Sequence, residues 1–438
     1  MKPLRVGMLG LGTVGAGVIN LLARNGAEIA RRAGRAIDIM HVSARDLSKP
    51  RGCALDGLTV SAHAEAVIDD PEVEIVVELI GGIEPARELV LRAIERRKHV
   101  VTANKALIAL HGNAIFAAAR EHGVVVAFEA AVAGGIPIIK AIREGLAGNR
   151  IEWLAGIING TSNYILTEMR ERGASFGDAL AAAQRLGYAE ADPGFDVGGI
   201  DAAHKLTILG AIAFGKPLRF AGVYTEGIAA IEPDDVRYAE QLGYRIKHLG
   251  IARRRDLGVE LRVHPTLIPE RSLIASVHGA MNAVLVHGDA VGPSLYYGAG
   301  AGAEPTASAV VADLVDVVRA HTTDPDNRVP HLAFQPDALS QMPVLPISEA
   351  HTAYYLRMLA DDRPGVLAEV ATVLGESGIS LQAVVQPEPP HGAARANLVF
   401  LSYPVREAQM DAALARIREL DTVSGPVTRI RVEHLDVA

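Results

Sequence analysis

The sequence predicts an α/β protein in three parts, and three patterns carry that prediction. Over residues 4–130, short apolar runs alternate with segments of helical period, the mark of a parallel sheet wound with helices on both faces. A glycine-rich turn, Gly10-Leu11-Gly12-Thr13-Val14-Gly15, stands between the first of these runs and the first helical segment. Over residues 353–434 the patterns follow the order βαββαβ, which is a ferredoxin-like arrangement.

The first part takes strands at 4–9, 37–42, 74–80, 99–102 and 124–128, with a helix from the glycine turn to about residue 32. Beyond about residue 150 the order changes. A strand at 151–158 and helices near 162–172, 176–186 and 199–213 precede strand-like runs at 245–251, 259–268 and 281–286, which suggest an α+β part on a more open sheet. Five prolines and many polar residues between 322 and 347, without sustained period, read as a connection. The last part takes strands at 353–359, 379–385, 394–402 and 426–434 and helices at 365–376 and 406–419. The expected boundaries are 1–130, 131–320, a linker at 321–350, and 351–438.

Composition excludes several classes of function. With 49% apolar and 21% charged residues in 438, the chain has ample core material for about three domains and no case for disorder. A net charge of -8 without a basic run argues against nucleic acid or anionic membrane as a partner. No apolar run approaches the roughly 18 residues that span a bilayer, and the start lacks the apolar stretch of a signal peptide, so a cytoplasmic location is expected. Cys53, the only cysteine, rules out an internal disulfide or a cysteine-rich metal site. It reads as a tolerated thiol, with only Arg51 near enough in sequence to favour a thiolate.

The turn has the chemistry of a dinucleotide site. Gly10 allows the tight turn, Gly12 lets a pyrophosphate approach the backbone, Gly15 permits close packing, and the helix N-terminus favours phosphate charge. The strand at 37–42 leads into Ser43-Ala44-Arg45-Asp46; Arg45 is placed to attract a 2′-phosphate, so NADP is the expected cofactor, with NAD left open by the neighbouring Asp46. Lys105 follows the strand at 99–102, on the carboxyl side where parallel sheets bind ligands, and a helix start is an unfavourable place for a purely structural cation. Asp201 and Lys205 are four apart on a largely apolar helical segment and share a face. Two readings stand: an ordinary helix ion pair, or charges kept at a pocket because they act there. Glu190, in the acidic loop Gly187-Tyr188-Ala189-Glu190-Ala191-Asp192-Pro193, can bind a cationic amine or be a solvated loop acid.

In this order, the glycine turn, Thr102-Ala103-Asn104-Lys105, Phe128-Glu129-Ala130-Ala131-Val132-Ala133-Gly134-Gly135-Ile136-Pro137, Asn159-Gly160-Thr161-Ser162-Asn163-Tyr164-Ile165-Leu166, Glu190-Ala191-Asp192-Pro193, the segment 201–205 and Gly298-Ala299-Gly300-Ala301-Gly302-Ala303-Glu304-Pro305-Thr306 resemble the homoserine dehydrogenase family over essentially the whole chain. The resemblance implies a Rossmann-type domain, a central catalytic and dimerisation domain, and an oxidoreductase that reduces L-aspartate 4-semialdehyde to L-homoserine with NAD(P) on the way to threonine, methionine and isoleucine. A homodimer or homotetramer is implied as well. By that resemblance Lys205 is the proton donor and acceptor, Lys105 lies against nicotinamide and substrate, and Glu190 and Asp201 hold the substrate. Thr13, Val14 and Gly302 join the cofactor contacts, and Glu129, Val132, Gly134 and Ile136 supply oxygens to a sodium ion.

The last part resembles an ACT domain, with Asp362-Arg363-Pro364-Gly365-Val366-Leu367-Ala368 at its first strand-to-helix turn. The resemblance implies threonine as effector, although some such domains merely dimerise; if the part is regulatory, deleting residues 350–438 is expected to leave a soluble dehydrogenase that no longer responds to threonine. The long loop Gln386-Pro387-Glu388-Pro389-Pro390-His391-Gly392 departs from the tight hairpin expected there. A phosphorylating semialdehyde dehydrogenase needs a nucleophilic cysteine in the pocket, and Cys53 lies outside every such segment. A catalytically silent dinucleotide-binding sensor of amino acids would not need Lys205.

Overall fold

The structure, a computed structural model, describes residues 2–321, 323–388 and 393–435, so Pro389 to Gly392 of the proline-rich loop lie outside the described residues. The chain divides into two compact units: Met1–Ile158 with Asp201–Ala221 and Met281–Met342, and Asn159–Ile200 with Gly222–Ala280 and Pro343–Ala438.

The first unit is built on a six-stranded parallel sheet of β1 (Leu4–Leu9), β2 (Ile37–Ser43), β3 (Thr59–Ser61), β4 (Ile75–Glu78), β5 (His99–Thr102) and β6 (Val126–Ala127). Their order, β3-β2-β1-β4-β5-β6, reverses direction between β1 and β4, which opens a crevice at the carboxyl ends of these two strands. Leu4, Val6, Met8, Ile75, Val76, Val77, Val100 and Val101 are buried, which is why these strands read as unbroken apolar runs. The helices that concern the site are α1 (Thr13–Ala33), α2 (Lys105–Glu121), α3 (Ile200–Phe214) and α4 (Ala303–Ala320).

Helix α4 is absent from the sequence reading. Its Val310, Leu314 and Val317 join Val18 of α1 and Val6 and Met8 of β1 in one apolar cluster. Pro305 falls in its first turn, where a missing N–H costs little. Three strands, Ile151–Ile157, Met281–Gly288 and Gly292–Ala299, pair antiparallel in this unit. The proline-rich connection is packed rather than slack: the Phe334 ring lies against Gly215, and Ser340 N–H donates to the Gly215 carbonyl at 2.6 Å.

In the second unit, Tyr244–Arg255 and Gly258–Pro269 pair as a long antiparallel hairpin. The C-terminal strands follow the ferredoxin-like order Val423–Val432, His351–Asp361, Arg395–Ser402, Leu381–Val385. Helices Val366–Glu376 and Glu407–Arg418 cover one face of these strands through Val370, Leu374, Met410 and Leu414.

Here the structure departs from a removable module. The strand Val423–Val432 adds in parallel to Gly258–Pro269, with Thr266 opposite Arg431 and Leu267 opposite Val432. The second face of the C-terminal sheet is buried too, since Tyr355, Val399, Leu401 and Ile430 share a core with Ile165, Met169, Val236 and Tyr238. Charges close the seam. Arg262, only 1% exposed, donates to Glu433 Oε1 at 2.6 Å and to Glu260 Oε2 at 3.1 Å, while Arg431 binds Glu407 and Glu226.

Candidate active site

The crevice end of β1 carries the glycine turn. Gly10 has φ 102°, and a Cβ there would stand 2.7 Å from the Leu79 carbonyl oxygen; a Cβ on Gly15 would stand 2.5 Å from Gly10 O. A Cβ on Gly12 would instead meet nothing within 4 Å. The turn is therefore closed below and open above Gly12, at the head of α1, whose first N–H groups have no side-chain cap. These residues fit a dinucleotide pyrophosphate. Thr13 is exposed and Val14 half-buried beside that opening. Gly302, at φ 126°, caps α4 immediately before Ala303, and a Cβ on Gly17 of α1 would stand 2.6 Å from Ala303 O, so α4 begins alongside the first turns of α1.

The crevice end of β5 carries Lys105. Asn104 caps α2 by accepting from Leu107 N–H at 3.1 Å, which places Lys105 at the first position of the helix. Its Nζ lies 3.0 Å from Asp201 Oδ1. Asp201 Oδ2 accepts from Lys205 Nζ at 2.7 Å, and Lys205 Nζ also donates to the Ile158 carbonyl at 2.7 Å. One buried carboxylate thus bridges two lysines from different helices. Asp201 is 3% exposed and Lys205 9%, so these charges stand in a low-dielectric setting where their interaction is strong and their isolation costly. His204, one residue off this face, is buried with its ring 4.4 Å from that of Phe220, and burial lowers its pKa below the ordinary histidine range.

Glu190 lies in the second unit, exposed, on the loop after Phe176–Arg185, with its backbone carbonyl accepting from Gln184 at 3.1 Å. Within the first unit, the residues brought together are Lys105, Asp201 and Lys205. Arg45 is exposed, two residues after the end of β2. Asp46 is turned into its own loop, where it accepts from Ser48 N at 2.9 Å and Oγ at 2.6 Å, and those bonds hold its pKa below the ordinary value. Cys53 packs beside the β1 and β2 core, and burial raises its thiol pKa, the opposite of an activated nucleophile.

The stretch from Glu129 to Ile136 is a largely buried loop with left-handed backbone at Ala133 (φ 54°) and Gly134 (φ 48°). The Glu129 carboxylate accepts from Ile139 N at 2.9 Å and Lys140 N at 2.8 Å, and burial pushes its pKa up to about 6. Glu129 O takes Val132 N–H at 3.3 Å and Ile136 O takes Ile138 N–H at 2.8 Å; no backbone donor among the described residues reaches the carbonyl oxygens of Val132 or Gly134. Buried carbonyls in that condition fit a hard monovalent cation.

Two residues near the crevice have roles there that the sequence pattern did not assign. Arg51 donates to Leu11 O in the glycine turn and to Asp46 O, so a second cation stands beside Arg45's loop. Glu78, at the end of β4, is fully buried. Its signal was an acid inside the apolar run Ile75-Val76-Val77-Glu78-Leu79-Ile80, which a central strand tolerates only when the acid is bonded.

Residues 137–315 match a family model described as homoserine dehydrogenase, residues 10–129 its NAD-binding domain, and residues 354–422 the ACT domain. The chain is 63% identical to a homoserine dehydrogenase of Pseudomonas aeruginosa, covering all of both chains, and 52% identical to one of Neisseria gonorrhoeae, covering 99% of this chain and all of that one. Among solved structures it is similar to a homoserine dehydrogenase from Thiobacillus denitrificans at a TM-score of 0.94 and 63% identity, covering 100% of this chain and 99% of that one.

Proposed function

The chain belongs to the homoserine dehydrogenase family, the NAD(P)-dependent oxidoreductases that connect L-aspartate 4-semialdehyde with L-homoserine, and from that premise we propose that Lys205, Asp201 and Lys105 are the reacting end of its site. The observation that carries this is the single buried carboxylate of Asp201 shared between two ammonium groups at the crevice. The reduced nicotinamide, when bound, supplies the hydride. Lys205 donates its Nζ proton to the substrate oxygen as negative charge grows there, and takes one back in the reverse direction. Lys105 polarises the same oxygen. Asp201, bonded to both lysines, fixes where the ammonium groups point, and the Ile158 carbonyl fixes Lys205 from a second side. Glu190 binds the substrate amine. The reaction serves threonine, methionine and isoleucine synthesis in the cytoplasm, in a homodimer or homotetramer, with threonine as effector at the ACT domain. No helix among the described residues is long and apolar enough to cross a membrane.

NADP is the preferred cofactor on this reading, held by the turn Gly10, Gly12, Thr13, Val14 and Gly15, by Gly302, and at its 2′-phosphate by Arg45. The test is steady-state turnover with each nicotinamide. Arg45→Ala is expected to raise KM for NADP about 10-fold or more, as for a charged hydrogen bond worth about 1.5–3 kcal/mol, and to leave NAD nearly unchanged. Equal losses with both cofactors would take Arg45 out of the 2′-phosphate site.

The carbonyls of Glu129, Val132, Gly134 and Ile136 hold sodium, Glu129 through its backbone because its carboxylate is already bonded to Ile139 N and Lys140 N. Sodium chloride is expected to raise Tm over tetramethylammonium chloride at equal ionic strength, with saturation, by about 1.4 kcal/mol of stability at tenfold excess over Kd. Identical melting in the two salts removes the ion.

A further inference from the structure

We propose that Glu78 is a positioning residue of this reaction: its buried carboxylate ties the loop after β4 to the turn after β5 and so fixes where the Lys105 ammonium stands. The proposal rests on the assignment of Lys105 to the reacting end of the site.

Glu78 is fully buried, yet its charge is met by bonds on both oxygens. Oε1 accepts from Ile80 N at 2.7 Å and Gly81 N at 3.1 Å; Oε2 accepts the Thr102 hydroxyl at 2.6 Å. Thr102 Oγ1 in turn accepts from Asn104 N at 3.0 Å. Asn104 reaches back with its amide, donating to Gly82 O at 2.6 Å, while its own side-chain oxygen caps α2 by accepting from Leu107 N. The circuit closes on itself. It runs from the end of β4 through Thr102 to Asn104, the residue before Lys105, and returns to the β4 loop at Gly82.

That loop also backs the phosphate turn. A Cβ on Gly10 would stand 2.7 Å from Leu79 O and 3.2 Å from Ile80 N, so the backbone that Glu78 holds is the wall against which Gly10 packs. Gly81 and Gly82 both have positive φ, 76° and 75°, so the chain turns sharply just beyond the Ile80 and Gly81 N–H groups that the carboxylate accepts from. One acid therefore couples the cofactor turn to the lysine at the start of α2.

Chemistry explains why a carboxylate is needed rather than an amide. All three donors, two N–H and one O–H, require acceptors, and glutamine offers one acceptor oxygen and an NH₂. In Glu78→Gln the oxygen can keep Ile80 and Gly81, but the Thr102 hydroxyl loses its acceptor. Asn104 and Lys105 are then held less firmly, and a shift of about 1 Å at a reacting group can cost roughly 100-fold in rate.

The experiment measures kcat, KM, NADPH binding by fluorescence and thermal melting for Glu78→Gln, Thr102→Val, Lys105→Ala and the double variant Glu78→Gln/Lys105→Ala. Glu78→Gln and Thr102→Val are each expected to lower kcat about 10- to 100-fold with KM for homoserine little changed, beside a fall of a few degrees in Tm from the lost buried bond. The double variant is expected to be no slower than Lys105→Ala alone, since Glu78 acts through Lys105. A near-normal kcat in folded Glu78→Gln, or in Thr102→Val if the former does not fold, would overturn the proposal and leave Lys105 untouched. So would an undiminished further loss in the Lys105→Ala background, which would make Glu78 act elsewhere. Normal turnover in Lys105→Ala itself would instead refute the assignment of Lys105, and with it the path proposed for Glu78.

Discussion

Replacing Lys205 with alanine is expected to lower kcat for homoserine oxidation by roughly 10²- to 10⁴-fold, with NADPH affinity and folding preserved. The loss falls on kcat because the proton moves only as the substrate oxygen gains charge. Folding should survive because Asp201 keeps a second cation, Lys105 Nζ at 3.0 Å, so the buried carboxylate is not left alone. The competing view, a helix ion pair and nothing more, is stronger in this structure than in the sequence. Lys205 is 9% exposed, and breaking a buried pair can cost about 3–5 kcal/mol. Lys205→Arg separates the two views. Arginine keeps the charge beside Asp201 but holds its proton far too tightly to give it up, so a general acid predicts a large loss of kcat and a structural ion pair predicts little. Near-normal turnover in folded Lys205→Arg would remove the lysine from the proton transfer.

Deleting residues 350–438 is expected to yield an unfolded or insoluble chain, not a desensitised dehydrogenase. The cut strips Val423–Val432 from the edge of Gly258–Pro269 and uncovers the apolar side chains of the helices beneath the C-terminal sheet, each worth about 1.5–3 kcal/mol when buried. It also takes Glu433 away from Arg262. A single change gives the same message in smaller form. Glu433→Ala leaves the Arg262 guanidinium, 1% exposed, with Glu260 alone among its two carboxylates, and should cost about 3 kcal/mol or more, a fall of roughly 6–12 °C in the Tm of a second unit that melts by itself. A soluble truncated enzyme with wild-type kcat would contradict this account. The effector question is then put to the full chain: millimolar L-threonine should inhibit it, and indifference would take threonine away as ligand of the ACT domain.

What the sequence determined by itself is local. The strands at 4–9 and 99–102 match the structure residue for residue, because central strands of a parallel sheet need side chains apolar on both faces and leave an unbroken run. The glycine turn and the spacing of Asp201 and Lys205 were legible for the same reason, since short-range backbone geometry decides both. The βαββαβ order of the last part was legible as well. Tertiary structure alone decided the partners. Nothing in the pattern around Lys105 says that its ammonium meets Asp201 Oδ1, and nothing around Glu78 says that its oxygens take Ile80, Gly81 and Thr102. Helix α4 belongs to the first unit because its apolar face fits α1 at Gly17, and that surface exists only once both helices have formed. The same holds for Val423–Val432. Its alternation marks a strand, but a strand can pair on two edges, and the choice of Gly258–Pro269 as second neighbour depends on buried carboxylates and guanidinium groups that distant segments bring together, among them Arg262 with Glu433.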